Sequence, residues 1–156
     1  MGADVDSIAD AFAALGESRA ALLDALDDLD EGARDDLRWH GQWTAKDIVC
    51  HIAAWEEAFA IALENTAGDG LFERPAQHTD DEPFNERNAH AHRFIDWEDA
   101  EEFLDDARQL LTGAMLDCIT LAPEVQATLA RELAIEAEHE ATHARAIEAW
   151  REERGL

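Results

Sequence analysis

The sequence predicts an all-α fold, and this prediction rests on its composition and on two features of its pattern. Alanine, leucine and glutamate dominate the 156 residues, tyrosine is absent, and no segment alternates apolar with polar residues. Four long segments repeat apolar residues at steps of three and four, which is the spacing of one helix face. Because four amphipathic helices bury such faces against one another in a four-helix bundle, we predict one domain of this type over residues 1–156.

The first helix is predicted over residues 6–29. Its apolar stripe includes Ile8, Phe12, Leu15, Leu22, Leu26 and Leu29. The stripe is weakest in the middle, where Ser18 and Arg19 interrupt it. Gly32 follows at a natural stop, because glycine commonly ends a helix.

The second helix is predicted over residues 44–65. Thr44 and Asp47 have the spacing of a capping box, in which each residue satisfies a backbone N–H of the other. A long loop is predicted over residues 68–83, since this stretch contains two glycines, two prolines and several acids. Loops of that length inside a compact domain are uncommon and are usually mobile or functional.

Three further helices complete the predicted fold. A short helix is predicted over residues 84–94. The third long helix is predicted over residues 97–121, with Asp96 as its cap and an unbroken apolar stripe. Pro123 ends that helix and can open the last one, predicted over residues 124–154, because proline is tolerated in a first turn.

The charge of the chain restricts its partners. A net charge of −25 repels nucleic acid phosphates and anionic lipid, so we expect neither as a partner. No segment approaches the ~20 apolar residues that a membrane span needs. The first ten residues are acidic and lack the basic and apolar regions of a signal peptide, which predicts a cytoplasmic protein. A high-salt cytoplasm or a GC-rich genome would each account for the acidity.

Cys50 and Cys118 are predicted to be buried small residues, with a disulfide or metal ligation as the alternative.

Three histidines are candidates for one metal site. On a helical wheel His51 lies in the middle of the apolar face of the second helix. His139 and His143 lie one turn apart on the inner face of the last helix. Three imidazoles from two facing helices form a set that leaves a coordination position open, as a catalytic metal requires. Neutral imidazole suits zinc, nickel, copper or iron(II).

Each of these histidines also has an ordinary explanation. A histidine on an apolar face is commonly a hydrogen-bonded core residue, and HxxxH pairs occur by chance on acidic helices. The other four histidines are not predicted to bind a metal, because they lie in connecting segments or near a helix end beside acids: His40, His78, His90 and His92.

Three segments resemble proteins of the DinB-like superfamily. They are WTAKDIVCHIAAWEEA at residues 43–58, FNERNA at residues 84–89 and EHEATHARAIEAWRE at residues 138–152. Within that superfamily the likeness is to four-helix bundle proteins of the ClbS/DfsB type. The resemblance implies an up-down-down-up bundle that is often dimeric. It also implies a divalent metal held at the positions of His51, His139 and His143, and it makes Asn85 a candidate pocket residue.

The resemblance implies several chemistries. The superfamily includes thiol-dependent transferases and isomerases that use glutathione, mycothiol or bacillithiol, and a cyclopropane hydrolase that confers resistance to a genotoxic natural product. The first hypothesis is therefore a metal-dependent hydrolase or thiol transferase that acts on a small electrophile, in detoxification or stress response. Its cofactors would be a divalent transition metal (zinc, nickel or iron) and, for a transferase, a low-molecular-weight thiol.

In this hypothesis Glu136 is the candidate base or the partner that orients a histidine, and its alternative is a glutamate at the edge of an acidic helix. The remaining candidate pocket residues are Asp47, Trp55, Asn85, Glu132 and Trp150. A second hypothesis is a non-catalytic protein that binds or sequesters a small molecule, with Trp55 and Trp150 as plain core residues or as ligand platforms. A third is a structural dimer whose histidines satisfy one another. We predict a homodimer, with Leu23 or Phe103 exposed outside the bundle seam.

Overall fold

The computed structural model describes residues 7–36, 43–75 and 81–156, and it is all-helical there, as predicted. The helices of this described part, in chain order, are α1 (Ile8–Leu26), α2 (Glu31–Asp36), α3 (Ala45–Asp69), α4 (Asp81–Ala91), α5 (Trp97–Asp117) and α6 (Pro123–Arg154). The four long helices predicted from the sequence correspond to α1, α3, α5 and α6.

Side-chain caps fix where α1, α3 and α5 begin. Ser7, Thr44 and Asp96 each accept a hydrogen bond from the backbone N–H three residues further on, at 3.1, 3.2 and 2.9 Å. At α3 the contact is reciprocal, because the Thr44 N–H donates to the Asp47 carboxylate at 2.9 Å. These caps satisfy N–H groups that have no partner inside the helix, so the capping prediction for α3 and α5 is confirmed.

Several predictions about helix ends were wrong. Helix α1 ends at Leu26 and not at residue 29, and α5 ends at Asp117 and not at residue 121. Gly32 does not stop a helix but lies inside the short helix α2, which Asp30 opens by accepting the Ala33 N–H at 2.7 Å. The second long helix does not end at residue 65. It continues to Asp69 and stops at Gly70, whose φ of +76° reverses the chain at no steric cost.

The loop and the short helix were also placed differently. Because α3 reaches Asp69 and α4 begins at Asp81, the connection is shorter than the predicted loop over residues 68–83. Residues 76–80 of that loop lie outside the described residues. The short helix ends at Ala91, three residues before the predicted end at residue 94.

The chain divides into two compact units, so the single domain remains a prediction. The first unit comprises residues up to Ile48 and from Ala130 onwards. In it, Arg19 pairs with Glu140, and the Arg151 guanidinium donates to the Ala25 carbonyl at 3.0 Å. Later residues of α1 thus meet later residues of α6, so the two helices run parallel. Their buried side chains include Ala11, Leu15, Leu22, Leu133, Ala144 and Ile147.

The second unit comprises Val49–Leu129. Here Glu56 of α3 pairs with Arg108 of α5, and the Cys118 thiol lies 3.5 Å from the Leu63 carbonyl. These two contacts also advance in the same direction along both helices, so α3 and α5 run parallel. The largest buried side chains of this unit include Ile52, Phe59, Leu104, Leu111, Met115 and Leu129.

Of the helices in the described ranges, none combines the length and the apolar content needed to cross a membrane.

Both cysteines are buried, as predicted. We expect the thiol of Cys118 to react slowly with alkylating reagents. Burial, with a smaller contribution from Asp117, raises the pKa of the Cys118 thiol, so less reactive thiolate forms at any given pH. Iodoacetamide should alkylate Cys118 far more slowly in the folded protein than in denaturant, and the rate should increase only at a higher pH than for an ordinary thiol. Mass spectrometry after timed labelling separates the two cysteines. Rapid labelling of folded Cys118 at neutral pH would contradict this.

Candidate metal centre

The last helix directs two imidazoles at one point. His139 and His143 are one turn apart on α6, so their side chains lie on the same face. Their Nε2 atoms are 3.0 Å apart, and their rings meet edge to face with centroids separated by 4.7 Å. In a tetrahedral zinc site two ligand nitrogens lie ~3.3 Å apart, because each Zn–N bond is about 2.0–2.1 Å. The pair is therefore spaced as two ligands of one ion would be.

The third histidine lies in an aromatic cluster of the second unit. His51 of α3 is buried, and its ring meets the Trp55 indole edge to face at a centroid distance of 6.4 Å. Trp55 packs against Phe84 of α4 at 4.7 Å and donates its indole N–H to the Asn85 side-chain oxygen at 3.0 Å. This cluster brings together three residues that the sequence singled out: His51, Trp55 and Asn85.

The predicted ligands form one group. One nitrogen from each of His51, His139 and His143 lies within 4.8 Å of the other two. His51 and His143 are buried, whereas the His139 side chain is 31% exposed. Within the described ranges no carboxylate or thiolate belongs to this group. Three neutral imidazoles are a suitable donor set for zinc, nickel or iron(II), so these histidines could hold a metal ion.

Glu136 lies near His139, on the Nδ1 side of the imidazole ring. Its side chain is buried, and one carboxylate oxygen is 3.9 Å from Nδ1 of His139, on the side of the ring opposite Nε2. A carboxylate in this position can fix the orientation and tautomer of a ligating imidazole once it moves to hydrogen-bond distance. The geometry is better suited to an orienting partner of His139 than to a base that contacts substrate.

Glu140 of α6 is not among the predicted site residues, but it is buried beside them on the same helix. Its side chain is 2% exposed, and its two oxygens accept hydrogen bonds from the Nε and Nη2 groups of Arg19, at 3.1 and 3.4 Å. The sequence carries one sign of this pair. The apolar stripe of α1 is interrupted at Ser18 and Arg19, and the structure shows that both are nevertheless buried. A polar residue in a helix seam needs a buried partner of its own.

The remaining predicted pocket residues lie in other environments. The described hydrogen bonds of Asp47 are those of the α3 cap. Glu132 is partly exposed, one turn before Glu136 on α6. Trp150 lies seven residues beyond His143, about 10 Å along the helix axis, and the Arg154 guanidinium covers its ring at 4.9 Å.

Four histidines were not predicted to be ligands. Those that lie in the described part of the chain do not belong to the three-histidine group. His90 is exposed on α4. His92 stacks on Phe103 with centroids 4.7 Å apart, and its Nδ1 lies 2.9 Å from the Asn88 carbonyl. His40 and His78 fall outside the described residues.

Comparison with known proteins adds no relative. No family model, no curated protein and no solved structure matches the chain. The three-histidine group is therefore the structural observation that bears on function.

Proposed function

We propose that His51, His139 and His143 hold one divalent transition metal and that the protein is a metal-dependent enzyme acting on a small electrophilic molecule. The observation that carries this proposal is the grouping of three imidazole nitrogens within 4.8 Å of one another. Two of these nitrogens are already 3.0 Å apart. In addition, the strongly negative protein favours the uptake of a cation.

The metal would supply a Lewis acid with coordination positions left for water, a thiol or substrate. The protein's own residues hold and orient it. At hydrogen-bond distance from Nδ1 of His139, instead of the present 3.9 Å, the Glu136 carboxylate would orient the imidazole and leave Nε2 as the ligating atom. His139 is the exposed member of the set, so its side of the group offers access to a small molecule.

The residues beside His51 suit an uncharged part of a substrate. Trp55 and Phe84 pack against each other there, and Asn85 holds the indole in place by accepting its N–H. We propose a hydrolase or a thiol-dependent transferase as the reaction class, following the resemblance to the DinB-like superfamily. The same resemblance leads us to propose a role in detoxification or stress response in the cytoplasm.

Helix directions support the proposed DinB-like arrangement. In an up-down-down-up bundle the first and last long helices are parallel to each other, and so are the middle two. The paired contacts of α1 with α6 and of α3 with α5 have this pattern within the two units.

We also propose a homodimer. Leu23 of α1 is 49% exposed, as expected for a residue outside the seam. Phe103, the other residue expected there, is half-buried and stacks on His92.

One observation favours a second candidate, a protein whose histidines are purely structural. The Nε2 atoms of His139 and His143 are at hydrogen-bond distance, so one imidazole can donate to the other without any ion. In that case the same fold would bind or sequester a small molecule without catalysis.

Metal analysis of tag-free protein distinguishes these candidates. We expect about one equivalent of zinc, nickel or iron per chain after purification, because a three-imidazole site binds such ions tightly. Turnover of model electrophiles is then measured with and without glutathione, mycothiol or bacillithiol. Protein that contains no metal and takes up none from added Zn²⁺ would contradict the proposed metal site. If the metal-bound protein turns over no electrophile under any of these conditions, the result would favour the second candidate, a non-catalytic protein that binds or sequesters a small molecule.

A further inference from the structure

Helix α6 carries two overlapping Glu-x-x-His sequences. Glu136 precedes His139 by three residues, and Glu140 precedes His143 by three. Residues three apart on a helix are neighbours on its surface, and di-metal carboxylate proteins use this spacing to present one carboxylate and one imidazole to the same metal centre. From spacing alone, this helix could therefore offer two carboxylates as well as two imidazoles.

The structure gives the two glutamates different partners. Glu136 lies at the Nδ1 side of His139, away from Nε2. Glu140 is held by Arg19, whose guanidinium donates to both carboxylate oxygens. A fork of two hydrogen bonds fixes the plane of the carboxylate and neutralises its charge. Both partners are nearly buried, with side-chain exposures of 11% for Arg19 and 2% for Glu140. Water therefore screens this interaction very little.

We infer that Arg19 determines which metal ions the site accepts, by keeping the Glu140 carboxylate out of the ligand set. This inference rests on the metal binding proposed above. With Glu140 engaged, the site presents three nitrogens and no carboxylate, in agreement with the composition of the group in the described part of the chain. Nitrogen ligands suit zinc, nickel and copper, whereas carboxylate ligands suit manganese and other oxygen-preferring ions. Arg19 thus makes the site selective against oxygen-preferring ions.

The test compares the affinities for Zn²⁺ and Mn²⁺ in Arg19→Met. Methionine keeps an unbranched side chain in the seam but cannot hold the carboxylate. Removing a positive charge strengthens the binding of both divalent ions alike, so the ratio of the two affinities isolates the change in ligand type. We expect the ratio to shift towards Mn²⁺ on the order of tenfold, the lower end of what outer-shell partners contribute to metal affinity.

The control is the double variant Arg19→Met/Glu140→Gln. It also lacks the ion pair but has no carboxylate to release, so its ratio should return to the wild-type value. Glu140→Gln alone should leave the ratio unchanged as well. If Arg19→Met does not fold, Arg19→Lys replaces it. One ammonium group cannot reproduce the fork, so a smaller shift in the same direction is expected.

Each outcome discriminates between the claims. A shift towards Mn²⁺ that disappears in the double variant supports the inference. An unchanged ratio in the Arg19 variant, with stoichiometric binding by the wild type, overturns the inference and leaves the proposed metal site intact. A shift towards Zn²⁺ in Glu140→Gln alone would show that the Glu140 carboxylate is already a ligand, which also overturns the inference. Absence of a bound ion in the wild type overturns the proposed function and this inference together.

Discussion

Replacing His143 by alanine is expected to reduce the affinity for Zn²⁺ by more than about 100-fold. The reason is that His143 supplies one of only three nitrogens in the group, while even outer-shell partners of metal ligands contribute about 10–100-fold to affinity. The His143 side chain is buried on the inner face of α6, so no exposed residue can replace its imidazole. His51→Ala and His139→Ala should have effects of similar size, because each removes one ligand of the same ion.

Competition with a chromophoric chelator measures these affinities, and far-ultraviolet circular dichroism checks that the helices persist. The matched control is His92→Ala. This histidine is also part of an aromatic contact, but it stacks on Phe103 and does not belong to the three-histidine group. Its replacement should leave Zn²⁺ affinity unchanged. If His143→Ala bound Zn²⁺ as tightly as the wild type while His92→Ala bound it weakly, the assignment of the site would be wrong.

Replacing Arg108 by methionine is expected to lower the free energy of unfolding by about 3–5 kcal/mol. The Arg108 guanidinium donates to the Glu56 carboxylate from both Nε and Nη2, and the Glu56 side chain is only 3% exposed. Without Arg108, an almost fully buried carboxylate loses this charged partner, and that penalty exceeds the value of the pair itself.

Urea denaturation followed by circular dichroism measures this loss. Two variants serve as controls. In Glu56→Leu/Arg108→Met both charges are absent, so most of the stability should return. Arg145→Met removes an ion pair to Glu138 whose side chains are 58% and 68% exposed, and it should cost less than ~1 kcal/mol. An equal loss in Arg108→Met and Arg145→Met would refute the claim that burial sets the size of the effect.

Features that depend on neighbouring residues were predictable from the sequence. The all-α class follows from helix-forming composition and from apolar periodicity, and both act within a few residues of one helix. The caps at Thr44 and Asp96 were predictable because a capping hydrogen bond spans three residues. The three metal-binding candidates were predictable for the same reason, since periodicity alone places each histidine on the inner face of its helix.

Helix ends were predicted less well, because competing local signals had to be weighed. Gly32 resembles a stop, yet Asp30 caps a helix that includes it. The extension of α3 to Asp69 passes through Thr66, whose hydroxyl bonds back to the Ala62 carbonyl at 2.7 Å and so remains compatible with a buried helix. Both outcomes depend on small differences between alternatives that sequence patterns do not rank.

What the sequence determined by itself is therefore the helical class, several helix starts and the inward direction of His51, His139 and His143. Only the tertiary structure decided which buried charges meet. Arg19 and Glu140 are 121 residues apart in the chain, and Glu56 and Arg108 are 52 apart. Periodicity shows which face of a helix a residue occupies, but it does not identify the neighbouring helix or the height at which two side chains meet. For this reason the partner of Glu140, which we infer controls the ligand set, became visible only when α1 and α6 were placed side by side.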